Sequence, residues 1–490
     1  MINSMLKVPE PENEPIKEYR PGSPEKVALK AELYKQMNEE LEIPLLIGGK
    51  EVKTGNMAQA VCPHNHGHVL ANYHKAGADE VALAAQAAEE AWPEWANMSW
   101  EARVAVFRKA GDLLAGKYRQ VLNAATMLNQ SKTVQQAEID SACELIDFLR
   151  FNPWYAQQVY ANQPSSQPGM WNYVDHRALE GFVFCVTPFN FTAIAGNLSA
   201  APALMGNTVL WKPASSAVHS AYYLSKLFEE AGVPPGVINM IPGSGGQVGD
   251  PVLAQPGLAG VHFTGSTPVF QNMWTTIGAN IASYRTYPRI VGETGGKDFI
   301  FVHPSADPEE VVTAVLRGAF EYQGQKCSAA SRMYLPKSLQ VQVEERLVAE
   351  MDGITMGDVN DFTNFMGAVI DKWAFKEITD YIEYARASDD AEILSGGTYD
   401  DEVGYFIRPT LVRTSDPHFK LMEEEIFGPV MTHFVYEDAD LDVALQLCDE
   451  TSPYALTGAV FARDRRAINM ISDRLRNAAG NFYINDKPTG

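Results

Sequence analysis

Between Gly181 and Ser266 short apolar runs alternate with helical segments, and this alternation restricts the fold more than any other feature. Gly181–Val186 is an apolar run, followed by helical spacing over Phe191–Met205. Asn207–Trp211 is a second apolar run. The next helix, Ser216–Ala231, stops at Gly232, with Pro234 and Pro235 just beyond it. Val237–Ile241 and Gly260–Phe263 read as further strands. Strand and helix in such short cycles predict an α/β fold built on a parallel, doubly wound sheet with right-handed connections. These sheets bind ligands outside the carboxyl ends of their strands. Lys212, Gly243 and Ser266 each fall just after a predicted strand, so three loops would converge there.

A chain of 490 residues is too long for one core, and two or three domains are expected. Residues 1–25, rich in Pro, Glu and Lys, should run extended over the surface, and Lys26–Glu40 has near-helical apolar spacing. Ile43–Val52 and Ala58–Tyr73 read as short strands. Asp79–Trp92, Trp100–Asn129 and Val134–Asn152 read as helices. Gln157–Arg177, with its turn-like Pro164–Gly169, reads as a projecting β-hairpin. A lone hairpin is marginal in water, so this one should add to another subunit. After Glu293 a second α/β unit is expected. It contains a strand over Lys297–Val302, a helix from Asp307, helices Leu339–Met351 and Lys372–Ser388, and strands near Ile407–Val412 and Val430–Val435.

The net charge of −22 argues against a nucleic-acid partner, which needs a basic face. The five cysteines are odd in number and form no CxxC, which argues against a disulfide framework or structural zinc. Cys62-Pro-His64-Asn-His66-Gly-His68 has metal-ligand residue types, but reads as alternation on a strand or turn, and no metal is expected. No apolar run reaches membrane length, and no membrane partner is expected. The N-terminus lacks a signal-peptide core and an Arg-rich transit pattern. The cytoplasm is the expected compartment, or the mitochondrial matrix if a presequence has been removed.

Two local strings carry chemistry. Glu321-Tyr-Gln-Gly-Gln-Lys-Cys327-Ser-Ala-Ala-Ser-Arg332 follows a helix opened by Asp307 as N-cap and Pro308 at its first position, with Val311, Val315 and Ala319 on one face. That helix should break at Gly324, and Arg332–Pro336 should be a strand, leaving Cys327 on a loop carried by rigid elements. Val291-Gly-Glu293-Thr-Gly-Gly-Lys297 should form a second loop after a strand at Arg289-Ile290. A lone Cys is more often a buried small hydrophobe, and a lone Glu a solvated charge. A thiol on one loop and a carboxylate on another suggest a nucleophile and a base.

Together with Thr187-Pro-Phe-Asn190-Phe191-Thr192 and Glu424-Glu425-Ile-Phe427-Gly-Pro-Val430, these strings resemble the aldehyde dehydrogenase superfamily. The resemblance runs from Ile43 to the last residue. It is strongest in Leu179–Lys212, Phe320–Arg332 and Asn477–Asp486. It implies an NAD-binding domain from residues 1–156 and 178–293, an oligomerisation hairpin at 157–177 and a catalytic domain at 294–490. A Gly-rich substrate loop and a subunit-pairing tail would lie beyond Gly490. The implied reaction is NAD-dependent oxidation of an aldehyde to an acid. Cys327 thiolate attacks the carbonyl, and Glu293 later activates water against the resulting thioester. The Asn190 amide and the Cys327 N–H steady the adduct oxygen.

For the cofactor, the resemblance implies Lys212 and Ser215 near the adenosine ribose. Gly243, Gly245 and Ser266 would lie by the phosphates, and Glu425 and Phe427 by the nicotinamide ribose and ring. Gly243-Ser-Gly-Gly-Gln-Val-Gly249 is not a clean GxGxxG. Ser215 stands where many relatives carry an acid, which leaves NADP open beside the expected NAD. For the substrate, Ser328, Phe191 and, less directly, Glu144 are the candidates. Overall likeness implies L-glutamate γ-semialdehyde, the open form of a pyrroline carboxylate, oxidised to L-glutamate in proline catabolism by a homodimer or larger oligomer. Another semialdehyde, or an inert scaffold of the same fold, are the alternatives. Glu293 disfavours acyl transfer to coenzyme A.

Overall fold

The structure, a computed structural model, describes residues 6–488; the terminal positions 1–5 and 489–490, at which two of the expectations above end, lie outside it. Its contacts divide the chain into two compact units. The first holds the chain through Val61 together with His68–Gln130 and Val134–Glu293. The second holds Cys62–Gly67, Ser131–Thr133 and the chain from Thr294 onward. The two short excursions into the second unit have no signal in composition or periodicity.

The first unit is built on a seven-stranded sheet. Leu258–Gly265, Phe182–Val186, Thr208–Lys212 and Ile238–Met240 lie side by side in that order and run parallel. The hairpin Leu45–Ile47 and Lys50–Val52 extends one edge antiparallel, and Arg289–Thr294 forms the other edge. Successive strand residues point to opposite faces. Val183, Cys185, Val209 and Trp211 therefore enter one core, and Phe182, Phe184 and Leu210 enter another. Burial on both faces is why these strands read as continuous apolar runs. Fully burying each such side chain contributes roughly 1.5–3 kcal/mol. Strand order reverses at Phe182–Val186, since the chain moves outward to Ile238–Met240 and then returns to the other side with Leu258–Gly265. Val186 is in register with Lys212 and with Phe263, so the loops after these strands leave the sheet at one level.

Several expected elements differ. Trp100–Asn129 is two helices, Trp100–Ala115 and Arg119–Gln130, because Gly116 leaves helical geometry at φ −107° and ψ −99°. The second of these is buried almost all round, and its Arg119 joins Glu138 and Glu14 in an internal ion-pair network. Glu14 and Asp147, through the Asn13 amide at 2.6 Å, pin the extended N-terminal stretch. The helix expected over Val134–Asn152 is interrupted by a π-helical turn, Glu138–Glu144, and then continues to Ala161. Of the hairpin expected over Gln157–Arg177, residues 157–161 belong to that helix and residues 162–177 form a two-sided loop with no regular strand. Its two sides are joined by side chains: the Gln163 amide donates to the Val174 carbonyl at 3.1 Å and accepts from the Val174 N–H at 2.8 Å. The Pro, Ser and Gln content of this stretch leaves only one backbone bridge, Gln167 with Met170. Met170, Trp171 and Tyr173 on it are exposed.

The second unit carries its own seven-stranded sheet, in the order Ala391–Ser395, Thr410–Thr414, Val430–Tyr436, Ala330–Pro336, Asp298–Val302, Thr457–Phe461 and Asn481–Ile484. All but the first pair are parallel. Alternation again feeds two cores, with Phe299, Phe301 and Tyr334 on one side and Ile300, Val302, Met333 and Leu335 on the other. Asp307 caps the helix Pro308–Phe320 by accepting from the Glu309 N–H at 2.9 Å. In the Cys62–Gly67 turn, the His66 ring stacks on Tyr405 and Pro63 O accepts from the Tyr405 N–H. Among the described residues, no group of three or more His, Cys, Asp or Glu could hold a metal. No described helix is long and apolar enough to cross a membrane.

Candidate active site

In the first unit the turn Thr187–Phe191 leaves the strand Phe182–Val186 and enters the helix Thr192–Leu204. Both ends of the turn are tied. Thr187 Oγ1 accepts from the Trp211 indole at 2.9 Å, and the Gln130 amide donates to the Phe189 carbonyl. Asp140, in the π-helical turn, accepts from the Thr192 N–H at 3.0 Å and the Ala193 N–H at 2.8 Å. It supplies the helix with the cap that Phe191, at the N-cap position, cannot. Asn190 and Phe191 are buried in this fixed turn. Glu144, the last residue of the π-helical turn, is half-buried.

Five of the residues expected to hold a dinucleotide, Lys212, Ser215, Gly243, Gly245 and Ser266, lie just after strands of the same sheet. Lys212 ends its strand with a buried side chain, and burial lowers its pKa to about 8. Among the described residues, its Nζ has only the Pro213 carbonyl at 3.4 Å and no carboxylate within ion-pair distance. A buried ammonium so poorly satisfied fits a site made for a ligand's oxygens. Ser215 donates to the Gly243 carbonyl at 3.3 Å, joining two of the loops. A Cβ on Gly243 would come within 2.7 Å of Val248, whereas Gly245, at the first turn of helix Gly245–Leu253, faces open space. Ser266 is the N-cap of helix Thr267–Ala279 and makes no side-chain cap bond, which leaves N–H groups of that terminus available to an anion.

Glu293 lies within the edge strand Arg289–Thr294, not on a loop. Gly292 permits this, because a Cβ there would meet the Phe270 ring at 2.3 Å. The Glu293 residue is solvent-accessible, yet the protein around its carboxyl desolvates it enough to raise its pKa.

In the second unit, Cys327 is the one cysteine of five that is not buried. Burial raises the thiol pKa of each of the others. The helix before it ends at Phe320, four residues earlier than expected, because the chain turns left-handed: Tyr322, Gln323 and Gly324 have φ of 50°, 56° and 66°. For Tyr322 and Gln323 this costs roughly 1–2 kcal/mol each. Hydrogen bonds hold the turn. The Gln323 amide donates to Ser131 O at 3.2 Å and Ala368 O at 2.6 Å, and accepts from the Gly367 N–H at 3.1 Å. Gln325 Oε1 accepts from the Ile370 N–H at 2.9 Å. Four such bonds at about 1 kcal/mol each are enough to offset the strain. Strain over-determined in this way clusters at functional sites.

Glu425 lies against the Gly295-Gly296 backbone and accepts from the Gly296 N–H at 3.2 Å; burial raises its pKa. A Cβ on Gly295 would sit 1.9 Å from Glu425 Oε1. Phe427 is also left-handed, at φ 55°. Ser328, expected at the substrate's carboxylate, is not presented to solvent: it is 1% exposed, and its Oγ has no hydrogen-bond partner among the described residues. The strand beginning at Ala330 draws it inward, and its carbonyl faces the Thr457 hydroxyl. Gln323, Asp298 and Thr457 are not singled out by motif or spacing. The one available signal is the charged pair Lys297-Asp298 heading an apolar strand, since buried charges require partners.

The two sheets and the Cys327 loop define a class. The chain belongs to the aldehyde dehydrogenase family, whose defining pattern matches residues 51–490. Among its relatives, a mitochondrial delta-1-pyrroline-5-carboxylate dehydrogenase of Dictyostelium discoideum is 52% identical over 99% of this chain and 87% of its own length. One from Danio rerio is 47% identical over 98% of this chain and 87% of its own length. A crystal structure of the Delta-pyrroline-5-carboxylate dehydrogenase from Mycobacterium tuberculosis bound with NAD superposes with a TM-score of 0.96 at 48% identity, covering 100% of this chain and 90% of that one.

Proposed function

We propose that this chain oxidises L-glutamate γ-semialdehyde to L-glutamate with NAD. Whole-length identity to dehydrogenases named for the parent pyrroline supports that substrate. The observation that carries the chemistry is the accessible Cys327 thiol on a loop held by a strained turn, in a chain whose other thiols are buried.

Cys327 thiolate adds to the aldehyde carbon and forms a thiohemiacetal, an alkoxide from which hydride can depart. The Asn190 amide and the Cys327 N–H donate to that oxygen. NAD supplies the two-electron oxidant when bound. Lys212 and Ser215 hold its adenosine end, Gly243, Gly245 and Ser266 its phosphates, and Glu425 and Phe427 its nicotinamide end. The thioester left on Cys327 is cleaved by water that Glu293 deprotonates. Phe191, Glu144 and Ser328 remain the substrate contacts of this reading, with Ser328 acting from a buried position.

Glu293→Gln is expected to release one NADH per site in a rapid burst and then stall as thioester. Its steady-state rate should fall on the order of 10²–10⁴-fold. Stopped-flow absorbance checks this, and a variant turning over at the wild-type rate would refute the assignment. The base form of Glu293 is lost as pH falls through its raised pKa, so deacylation should slow on the acid side.

The exposed aromatic arm supports assembly into a dimer or larger oligomer, and light scattering showing a lone monomer would count against it. The compartment belongs to the same reading: the cytoplasm, or the mitochondrion that the names of several relatives carry.

A further inference from the structure

Beside Cys327 lies a buried hydrogen-bond chain that the proposed chemistry does not use. Asp298 opens the strand Asp298–Val302 and is 1% exposed. Its Oδ1 accepts from the Leu456 N–H at 2.8 Å. Its Oδ2 lies 2.7 Å from Thr457 Oγ1, which lies 3.0 Å from the Ser328 carbonyl oxygen. Thr457 is fully buried.

A hydroxyl has one proton, and a carbonyl can only accept. If Thr457 donates to Ser328 O, the contact with Asp298 is a hydrogen bond only when Asp298 is the donor. If Asp298 is ionised, it claims the Thr457 proton, and the Ser328 carbonyl faces oxygen lone pairs at 3.0 Å. The surroundings favour the first arrangement. Among the described residues, no cation lies within ion-pair distance of the Asp298 carboxyl: Arg332 spends its Nε on the Lys297 carbonyl at 2.9 Å and its Nη1 on the Tyr334 hydroxyl at 3.1 Å. The charged groups facing this corner are Lys297, which directly precedes the strand, Arg332 on the neighbouring strand Ala330–Pro336, and Glu424 and Glu425, which act on Lys297. The other neighbouring strand contributes only Thr457. A buried carboxyl without a paired cation takes up a proton.

We propose that Asp298 is a neutral carboxylic acid that donates to Thr457, that Thr457 donates to the Ser328 carbonyl, and that this relay positions the Cys327 loop from its C-terminal side. It complements Gln323 and Gln325, which hold the loop from the other side. Burial pushes the Asp298 pKa up to about 7, against smaller lowering effects from Thr457, Leu456 and Arg332. The relay is therefore intact on the acid side of neutrality and lost as pH rises. The inference rests on Cys327 being the nucleophile.

Asp298→Asn is the discriminating variant. Its amide N–H2 can donate to Thr457 while its oxygen accepts from Leu456, as the neutral acid does and a carboxylate cannot. The rate of Cys327 alkylation by iodoacetamide, followed by mass spectrometry on the protein without NAD, is measured against pH beside kcat. Asp298→Asn should keep kcat within about twofold and lose the wild type's change in loop behaviour above neutral pH. Thr457→Val should slow both alkylation and turnover on the order of tenfold with NAD affinity unchanged, and Thr457→Ser should restore them. An infrared difference spectrum, wild type minus Asp298→Asn, should show a protonated-carboxyl stretch at about pH 6. Loss of kcat in Asp298→Asn as deep as in Asp298→Ala, or no such stretch, would overturn the relay. Cys327→Ser retaining turnover would instead overturn the reading of the nucleophile, while the infrared result still decides the protonation of Asp298.

Discussion

Replacing Cys327 with alanine is expected to cut NAD-linked oxidation of glutamate semialdehyde on the order of 10⁴-fold or more, because no other group can form the covalent adduct. The fold should survive. Cys327 lies on a partly accessible loop, and substitutions at such positions usually change stability by no more than about 0.5 kcal/mol. Cys185→Ala is the informative contrast. That thiol is buried, and its Sγ contacts the Leu198 carbonyl at 3.1 Å, so its loss should cost stability and leave the chemistry intact. Initial rates of NADH formation, set beside urea unfolding curves, separate the two outcomes. A Cys327→Ala protein that keeps even a hundredth of the rate would sink the assignment.

Gly324→Ala is expected to be the most damaging single methyl group at this site. Gly324 sits at φ +66°, and a Cβ there would lie 2.2 Å from the Gly428 carbonyl oxygen and 2.9 Å from that of Ala319. Both obstacles are backbone, so neither can swing aside. The left-handed penalty of about 1–2 kcal/mol is joined by this clash. The total should reach roughly 3 kcal/mol or more, or the turn should move and carry Cys327 with it. A displacement near 1 Å at a reacting atom costs on the order of 10²-fold in rate. Gly232 gives the baseline. It too is left-handed, at φ +104°, but nothing lies within 4 Å of a Cβ placed on it. Gly232→Ala should therefore cost only about 1 kcal/mol and leave the rate unchanged. Equal unfolding free energies and equal rates for the two variants would show that the Gly324–Gly428 approach does not hold the loop.

Much of the site is legible in the order of residue types. Asn190, Lys212 and Ser266 sit at positions that strand ends and helix starts mark out, and Cys327 lies between a helix end and a strand start. Glu293, expected on a loop, lies on an edge strand, because Gly292 reads as a loop residue when its real use is to accommodate Phe270. The expected helix end at Gly324 is late for a related reason. Tyr322 and Gln323 carry no local mark of left-handed backbone, and what holds them there is Ser131 and the Gly367–Ala368 segment, far along the chain.

Local sequence is sufficient for the parallel strands of the first sheet, for four strands of the second, and for the loop that bears the thiol, while Ala391–Ser395, Thr457–Phe461 and Asn481–Ile484 are not read from it. Burial of apolar strands on both faces and helix-capping chemistry act over a handful of neighbours, so they are written in the chain. The long-range hydrogen bonds are not. That Gln323 reaches Ser131, that Asp140 caps the helix after Asn190, and that Asp298 meets Thr457 are decided only when the chain has folded. Each joins residues between about 50 and 200 positions apart, and a hydrogen bond depends on tenths of an ångström that no periodicity encodes.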